Sequence, residues 1–340
     1  MSRPTDSDDA VEVRAFEAQD EPGVLGVLGA AFGQWPRGIE GVTAGQFFRW
    51  KHVASPFGRS SVLVAEADGA VVGVVGYMTW LFSAGEQILT TMRGVDFAVH
   101  PSYHRRGVSF ALAQAALNHF PSDLAFVWGN PNERSTPVSL KSGWRDVGRL
   151  PRFVRPYGPL RETVRRAYRR GSTTPPEIDV AAASAAEILR DGEYASMLLA
   201  QTKEPVDRLV TARDLGYLRW RYGQFDEYRA VRAEGSTGNA GMAIFKPRRY
   251  GSFWLLDVCE LLVAQNDRRT ARHLLHQVSD AAPADFLSCS FHSRRHAALH
   301  GFVPARHEEV LVTYPIQQEL LPDSTRRASW ALSRGDLELL

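Results

Sequence analysis

Cysteine is almost missing: Cys259 and Cys289 are the only two in 340 residues. Two thiols give no disulfide framework and suit a reducing compartment. No apolar run reaches the ~20 residues a membrane helix needs, and long ones such as "AVVGVVGYMTWLF" are interrupted by glycine. The opening "MSRPTDSDDA" is polar and acidic and lacks the basic start and apolar stretch of a secretion signal. Charge of one sign is also lacking. Forty Lys and Arg face 38 Asp and Glu, net +2, so no overall field favours nucleic acid or an anionic membrane. These absences lead us to expect a cytoplasmic protein with neither partner. What is present is an ordinary globular composition, 44% hydrophobic and 23% charged, on a chain long enough for two domains.

Periodicity places the elements. "VEVRAF" reads as a strand, and "DEPGVLGVLGAAFG" and "AGQFFRWKH" as helices. "VLVAEADGAVVGVVGYMTWLF" holds two strands joined at Ala67-Asp68-Gly69, a hairpin signal, and "TTMRGVDFAV" is a third. A helix runs from Val108 until Pro121 ends it, "DLAFVW" is a fourth strand, and "NERSTPVSLKSGW" carries a short helix stopped near Gly143. Residues 156–178 combine a basic helical patch with a Ser/Thr/Pro stretch, which reads as a linker with a solvated face; no aromatic platform accompanies its arginines for nucleic acid.

After the linker the order of elements recurs. "LRWRY" echoes "FRWKH", "FWLLDVCELLV" parallels "TMRGVDFAV" with one Asp in each, and "LHGF" parallels "KSGW". The offsets stay close: 170 residues from Trp50 to Trp220, 161 from Asp96 to Asp257, 158 from Gly143 to Gly301. So small a drift over five elements suggests one fold used twice; chance likeness of short αβ runs is the alternative. We therefore expect a tail at 1–10, domains at 11–155 and 179–320, a linker between them at 156–178, and a C-terminal tail at 321–340.

The chemistry concentrates in "DFAVHPSYHRRGVSFALAQAAL", a strand, a cationic turn and a helix. Helix-initial N–H groups lack internal partners and the macrodipole puts partial positive charge on them, so such a turn can hold an anion. Gly107 lets the backbone approach closely, and Arg105 and Arg106 add charge; a diphosphate would accept several such bonds. A surface loop with two solvated arginines is the bland alternative. Asp96, the one acid on the preceding strand, is either a general base or a structural partner for Arg93 or nearby backbone. Glu133 and His100 are further base candidates. His292, His296 and His300 recur at helical spacing, but no acid or thiol completes a metal site and arginines flank them, so no metal is expected. Trp35, Trp50, Trp80 and Trp128 read as packing residues, with Trp128, at a strand end leading into "GNPNE", the one best placed to meet an acceptor.

"AVHPSYHRRGVSFAL" resembles the acyl-CoA-binding segment of the GNAT superfamily of N-acyltransferases, with Val99, Pro101 and Gly107 in register, and "NERSTPVSLKSGW" resembles its downstream element through Asn132, Ser135 and Gly143-Trp144. The likeness covers about residues 60–150, and the second half resembles a degenerate copy. The resemblance implies an α+β fold of two tandem GNAT-like domains, each a mixed, mainly antiparallel central sheet flanked by helices. It also implies acetyl-CoA or another acyl-CoA as co-substrate, and no metal. The cofactor segment would comprise Phe97, Ala98, Val99, His104, Arg105, Arg106, Gly107, Val108 and Ser109, with Asn132 on the far side of the cofactor arm. Three positions depart from the pattern: His104 replaces Gln or Arg, Ser109 replaces Gly or Ala, and Ser139 stands where a Tyr general acid is common. The second half has no glycine in its turn, "VAQNDRRTARHLL", so one acyl-CoA site is expected, in the first half.

By this resemblance pantetheine lies against backbone at Phe97–Val99 as an added strand, and the diphosphate rests where the helix begins. An acceptor amine then attacks directly in a ternary complex, with Asp96, Glu133 and Ser139 as catalytic candidates, Trp128 as substrate contact and backbone N–H groups near Val99 for the oxyanion. The expected function is acyl transfer to the amine of a small molecule, such as an amino sugar or natural-product metabolite. A non-catalytic acyl-CoA-binding or scaffolding protein is the alternative, which the absent Tyr favours. An aminoacyl-tRNA-dependent transferase is a third, which Gly107 and the small net charge disfavour. The oligomeric state is left open.

Overall fold

The computed structural model describes residues 11–157, 178–233, 240–251, 253–290 and 294–337. The expected tail at 1–10, the linker apart from its ends, and His292 lie outside these residues. The first half runs β1 (Glu12–Ala15), α1 (Glu21–Phe32), α2 (Ala44–His52), β2 (Ser61–Ala67), β3 (Ala70–Ala84), β4 (Gln87–Val99), α3 (Val108–His119), β5 (Phe126–Gly129), α4 (Thr136–Lys141) and β6 (Arg145–Pro156). The second runs β7 (Ala183–Ser184), α5 (Ala185–Ile188), α6 (Gly192–Gln201), β8 (Val210–Thr211), α7 (Leu215–Tyr222), β9 (Arg229–Ala233), β10 (Gly241–Tyr250) and β11 (Phe253–Val263). It continues through α8 (Arg268–Asp280), β12 (Phe286–Cys289), α9 (Arg294–Leu299), β13 (Val303–Pro315) and α10 (Arg334–Leu337).

Local chemistry explains the boundaries. Asp68 and Gly69 both take positive φ, 53° and 73°, the handedness a two-residue hairpin between twisted strands requires. Thr43 and Gln46 cap α2 reciprocally, and Asp214 accepts the Tyr217 N–H to start α7. The α3 residues Val108, Leu112 and Ala116 turn onto β2 and β3, and full burial of Leu112 alone is worth about 1.5–3 kcal/mol. That packing fixes the start of α3 just beyond the end of β4.

The architecture is mixed α+β, a mainly antiparallel sheet with helices packed on it. Expected as one sheet per domain, it is continuous among the described residues: the strand order is β1-β2-β3-β4-β5-β13-β6-β12-β11-β10-β9-β7, with β8 attached to β3. Each half sends its last long strand across. β13 pairs with β5, β6 pairs with β12, and the two travelling strands pair with each other at the centre. The short β5 and β12 thus have their open edges covered by the opposite half, which satisfies backbone groups that would otherwise lie bare.

Residues 321–337, set apart in the sequence as a tail, thread into the core instead. Trp330, Arg334 and Asp336 are buried. Arg213 bridges Glu260 and Asp336 at 3.0 Å each, and the Tyr217 hydroxyl donates to Asp336 at 3.2 Å. These bonds to a buried carboxylate lock the segment in place.

Candidate active site

β4 and β5 run parallel but pair at only two positions, Met92 with Val127 and Arg93 with Trp128. Beyond them the strands part at Gly94 and Gly129, and a cavity of about 210 Å³ opens between them, lined among others by Tyr77, Asp96, Phe97, Asn130, Asn132 and Ser139. On its other edge β4 stays paired with β3 through Ala98 and Val99, with a bulge on the way: Gly76 faces Val95 but Val74 faces Ala98. Two residues, Asp96 and Phe97, therefore oppose one, and Asp96 takes φ 51°. The bulge removes the strict alternation that would aim them at opposite faces, and both line the cavity.

Asp96 is enclosed by three donors. Lys51 Nζ reaches its Oδ1 at 2.9 Å, the Trp35 indole reaches the same oxygen at 3.3 Å, and His52 Nε2 meets Oδ2 at 2.9 Å. Burial alone would raise the carboxyl's pKa, but the Lys51 ammonium and the His52 hydrogen bond outweigh it and hold the group well below the ordinary carboxylate range. Burial pushes both Lys51 and His52 down, against the pull of Asp96. A neutral His52 donates from Nε2, which leaves its buried Nδ1 without a hydrogen-bond partner among the described residues. His52 fits only because residue 76 is glycine: a Cβ there would lie 2.7 Å from His52 Cε1. Asp96, expected as a base, is thus a saturated, strongly ionised anion pinning the bulge, which runs against proton abstraction.

The cationic turn follows directly. A short 3₁₀ turn, Pro101–Tyr103, leads to Arg105 at φ 64° and Gly107 at φ 80°. A left-handed residue just before α3 favours glycine there, and nothing lies within 4 Å of where its Cβ would be. No side chain caps α3, and His104, Arg105, Arg106 and Gly107 are exposed, so the first helix N–H groups have no side-chain acceptor of their own. His104 donates from Nε2 to the Val99 carbonyl at 3.0 Å, and the Arg106 guanidinium lies 4.9 Å from the Tyr103 ring centre. The Ala98, Val99 and Val108 side chains are buried and Ser109 is half-buried, so at these positions the backbone is what remains for a ligand.

The other expected residues divide. Asn132 lines the cavity, but its Oδ1 already accepts the Arg134 and Ser135 N–H groups at 2.9 and 3.0 Å, starting α4. Ser139 lines it too and donates to the Ser135 carbonyl at 3.3 Å. Glu133 is exposed and not part of the lining. Trp128, expected to meet an acceptor, is fully buried: its ring packs among Trp80, Phe82 and Trp330. Both faces of β5 are buried, so strand position did not reveal which way it pointed.

Two roles escaped the sequence reading. Tyr77 is the sole phenol among the described cavity-lining residues, and burial raises its pKa, so it stays protonated. Arg93, weighed above as a partner of Asp96, instead lies with its guanidinium 4.8 and 5.3 Å from the Trp128 and Trp80 rings. It donates to Asn130 Oδ1 at 3.0 Å, the Leu337 carbonyl at 2.8 Å and the Asp336 carbonyl. Burial, helped by Arg221, brings it down to about 10, still cationic at neutral pH. It ties the chain's last described residues to Asn130 in the cavity lining.

A second gap opens in the second half of the chain. β11 and β12 pair only from Leu255 to Asp257, and a cavity of about 460 Å³ lies beyond, lined in part by Cys259, Cys289, Ser290 and Arg213. The adjoining turn differs. Gln265 and Asn266 hold positive φ where glycine is absent, and the Asp267 carboxylate accepts the Thr270 N–H at 2.8 Å. The helix start is therefore capped by an anion, which would repel a diphosphate. Asp257 is buried against Arg334, Ser288 and Arg152 rather than open to the gap. Among the described residues no cluster of metal-ligating side chains occurs, and no helix is long and apolar enough to cross a membrane.

Residues 12–145 match the family model described as an acetyltransferase (GNAT) domain. No curated protein sequence matches the chain. Solved structures share its fold over most of the length. A GCN5-related N-acetyltransferase from Anabaena variabilis superposes with a TM-score of 0.61 at 11% identity, covering 91% of this chain and 73% of that one. Eis1 from Mycobacterium abscessus gives 0.57 at 13%, covering 90% and 74%. A GCN5-related N-acetyltransferase from Kribbella flavida gives 0.55 at 18%, covering 89% and 71%.

Proposed function

We propose that the chain is an acyl-CoA-dependent N-acyltransferase, acetyl-CoA being the simplest donor, that acts on the amine of a small molecule. One observation carries the reading: the splayed β4–β5 gap leads to an uncapped helix start behind Gly107. A pantetheine arm in the gap would pair with the free edge of β4 at Phe97–Val99, and the diphosphate would accept the first N–H groups of α3, with Arg105 and Arg106 nearby. The second gap, closed to phosphate by Asp267, takes no acyl-CoA in this reading.

The roles follow from the partners each group already has. The acceptor must arrive as a free amine, because an ammonium has no lone pair. Asp96 is a poor proton sink while Lys51 and His52 hold it ionised, so the proton passes to water. Asp96 instead keeps the bulge in shape, which sets the β4 amides toward the developing oxyanion. As the tetrahedral intermediate collapses, the C–S bond breaks and the thiolate needs a proton. Tyr77, protonated and in the cavity wall, supplies it in place of the Tyr that position 139 lacks.

The test pairs binding with turnover. Acetyl-CoA should raise the melting temperature, and thiol release should follow with some members of a panel of small amines. Stabilisation without thiol release would favour an acyl-CoA-binding scaffold; no stabilisation by any acyl-CoA would remove both readings.

A further inference from the structure

Sharing no lining residue with the β4–β5 gap, a pocket of about 260 Å³ lies where β9, β10 and the turn at Gly38 meet. Asp179, Asp226, Glu227, Arg229 and Lys246 contribute its charges. Asp226 and Arg229 neutralise each other at 3.0 Å. Glu227 and Lys246 do not pair. One Glu227 oxygen takes a backbone N–H from Glu40, while Oε2 is buried without a partner among the described residues. The Lys246 amine lies 5.6 Å from the centre of the Tyr228 ring.

Two groups of opposite sign thus line one pocket, each feeling the other's charge but forming no close ion pair with it. Burying an ionisable group without a hydrogen-bonding partner is unfavourable, and the cost would be relieved by a molecule reaching both. A simple amine would suit Glu227 but face the Lys246 ammonium, with Arg221 and Arg248 behind it. A simple carboxylate would suit Lys246 but meet Glu227, Asp226 and Asp179. We propose that this pocket binds a small zwitterion of the α-amino-acid class, its ammonium on Glu227 Oε2 and its carboxylate on Lys246 Nζ. Size agrees, because the space suits a small molecule and no more. Burial brings Lys246 down to about 8 and pushes Glu227 up, each against the pull of the other's charge. A zwitterion would oppose both shifts, favouring the charged form of each group.

The test is calorimetric titration of the full chain with the proteinogenic α-amino acids, one at a time, then with the N-acetylated and carboxamide forms of any that bind. We expect binding by at least one, weakened about tenfold or more by blocking either end, as the loss of a charge-assisted hydrogen bond implies. Lys246→Met and Glu227→Gln should each weaken it similarly and leave acetyl-CoA stabilisation unchanged. In the unaltered protein, the same amino acid should protect Lys246 from trinitrobenzenesulfonate beyond what an equal concentration of a non-binding amino acid does by consuming the reagent, a readout that does not depend on a variant folding. No amino acid binding, equal binding by blocked forms, or unprotected Lys246 would overturn the proposal. Acetyl-CoA enters none of the binding titrations, so this result stands apart from the acyltransferase reading.

Discussion

Trp50 and Trp220 each donate the indole N–H to the other's main-chain carbonyl, at 2.9 and 3.0 Å, with their rings stacked 5.0 Å apart. The pair sits on α2 and α7, one helix from each half of the chain, and each helix supplies a tryptophan to the same contact. Trp50→Phe should cost about 1 kcal/mol through the lost hydrogen bond, and Trp50→Ala about 3–5 kcal/mol through the cavity as well. Because the contact is shared, the double alanine variant should lose less than the sum by about 0.5–3 kcal/mol. Urea denaturation of the four proteins measures it; strict additivity would mean the rings do not act together.

Gly107→Val tests the turn. The φ of 80° is unfavourable for a side-chain-bearing residue and should cost about 1–2 kcal/mol of stability. Acetyl-CoA affinity should fall about tenfold or more, since the approach to the α3 amides is lost. Gly69→Val is the matched control, at φ 73° with equally open surroundings in the β2–β3 hairpin. It should strain the backbone and leave binding alone; equal affinity loss in both variants would point to general destabilisation.

Asp96→Asn strips Lys51 and His52 of their anion. Breaking a buried pair costs about 3–5 kcal/mol, and adding Lys51→Met should restore part of that. The pH dependence has a definite sign. Asp96 has a depressed pKa in the folded protein, so its contribution is full above the unfolded value near 4 and fades as pH falls below it. The deficit of the variant should therefore shrink in acid. It should also shrink in alkali, where Lys51, pushed down by burial, sheds its proton without needing a counter-ion. Stability curves that run parallel from pH 3 to 9 would deny the carboxylate this role.

Tyr77→Phe should lower kcat by about 100-fold with little change in KM, the signature of a proton donor needed only after substrate has bound. A KM effect with kcat intact would make Tyr77 a wall of the cavity and nothing more.

Local signals were legible where one short segment carried them. The Asp68-Gly69 turn, the Pro121 stop and the Gly107 helix start all read correctly because each depends on the backbone freedom of one or two residues. Asp96 stood out as an acid in an apolar strand, but its partners lie 44 and 45 residues earlier on α2, and only tertiary packing brings them close. Trp128 misled because a strand buried on both faces has no polar side to orient it. The long β6 was not foreseen as a strand: Pro151 and four arginines obscure its alternation, which the pairing with β12 and β13 overrides. The final segment carries little periodicity, and its anchoring by Arg93 and Arg213 depends on residues more than 100 positions away.

The exchange of β6 and β13 makes the two halves hostages to one another. A gene cut after residue 157 would encode β6 without its mates and a β5 stripped of its neighbour, with adhesive main chain on show. Such a fragment should precipitate or pair with its own kind, whereas the two fragments co-expressed should reassemble. Melting, by the same logic, should be a single event: neither half has a complete sheet to fall back on once the other has gone.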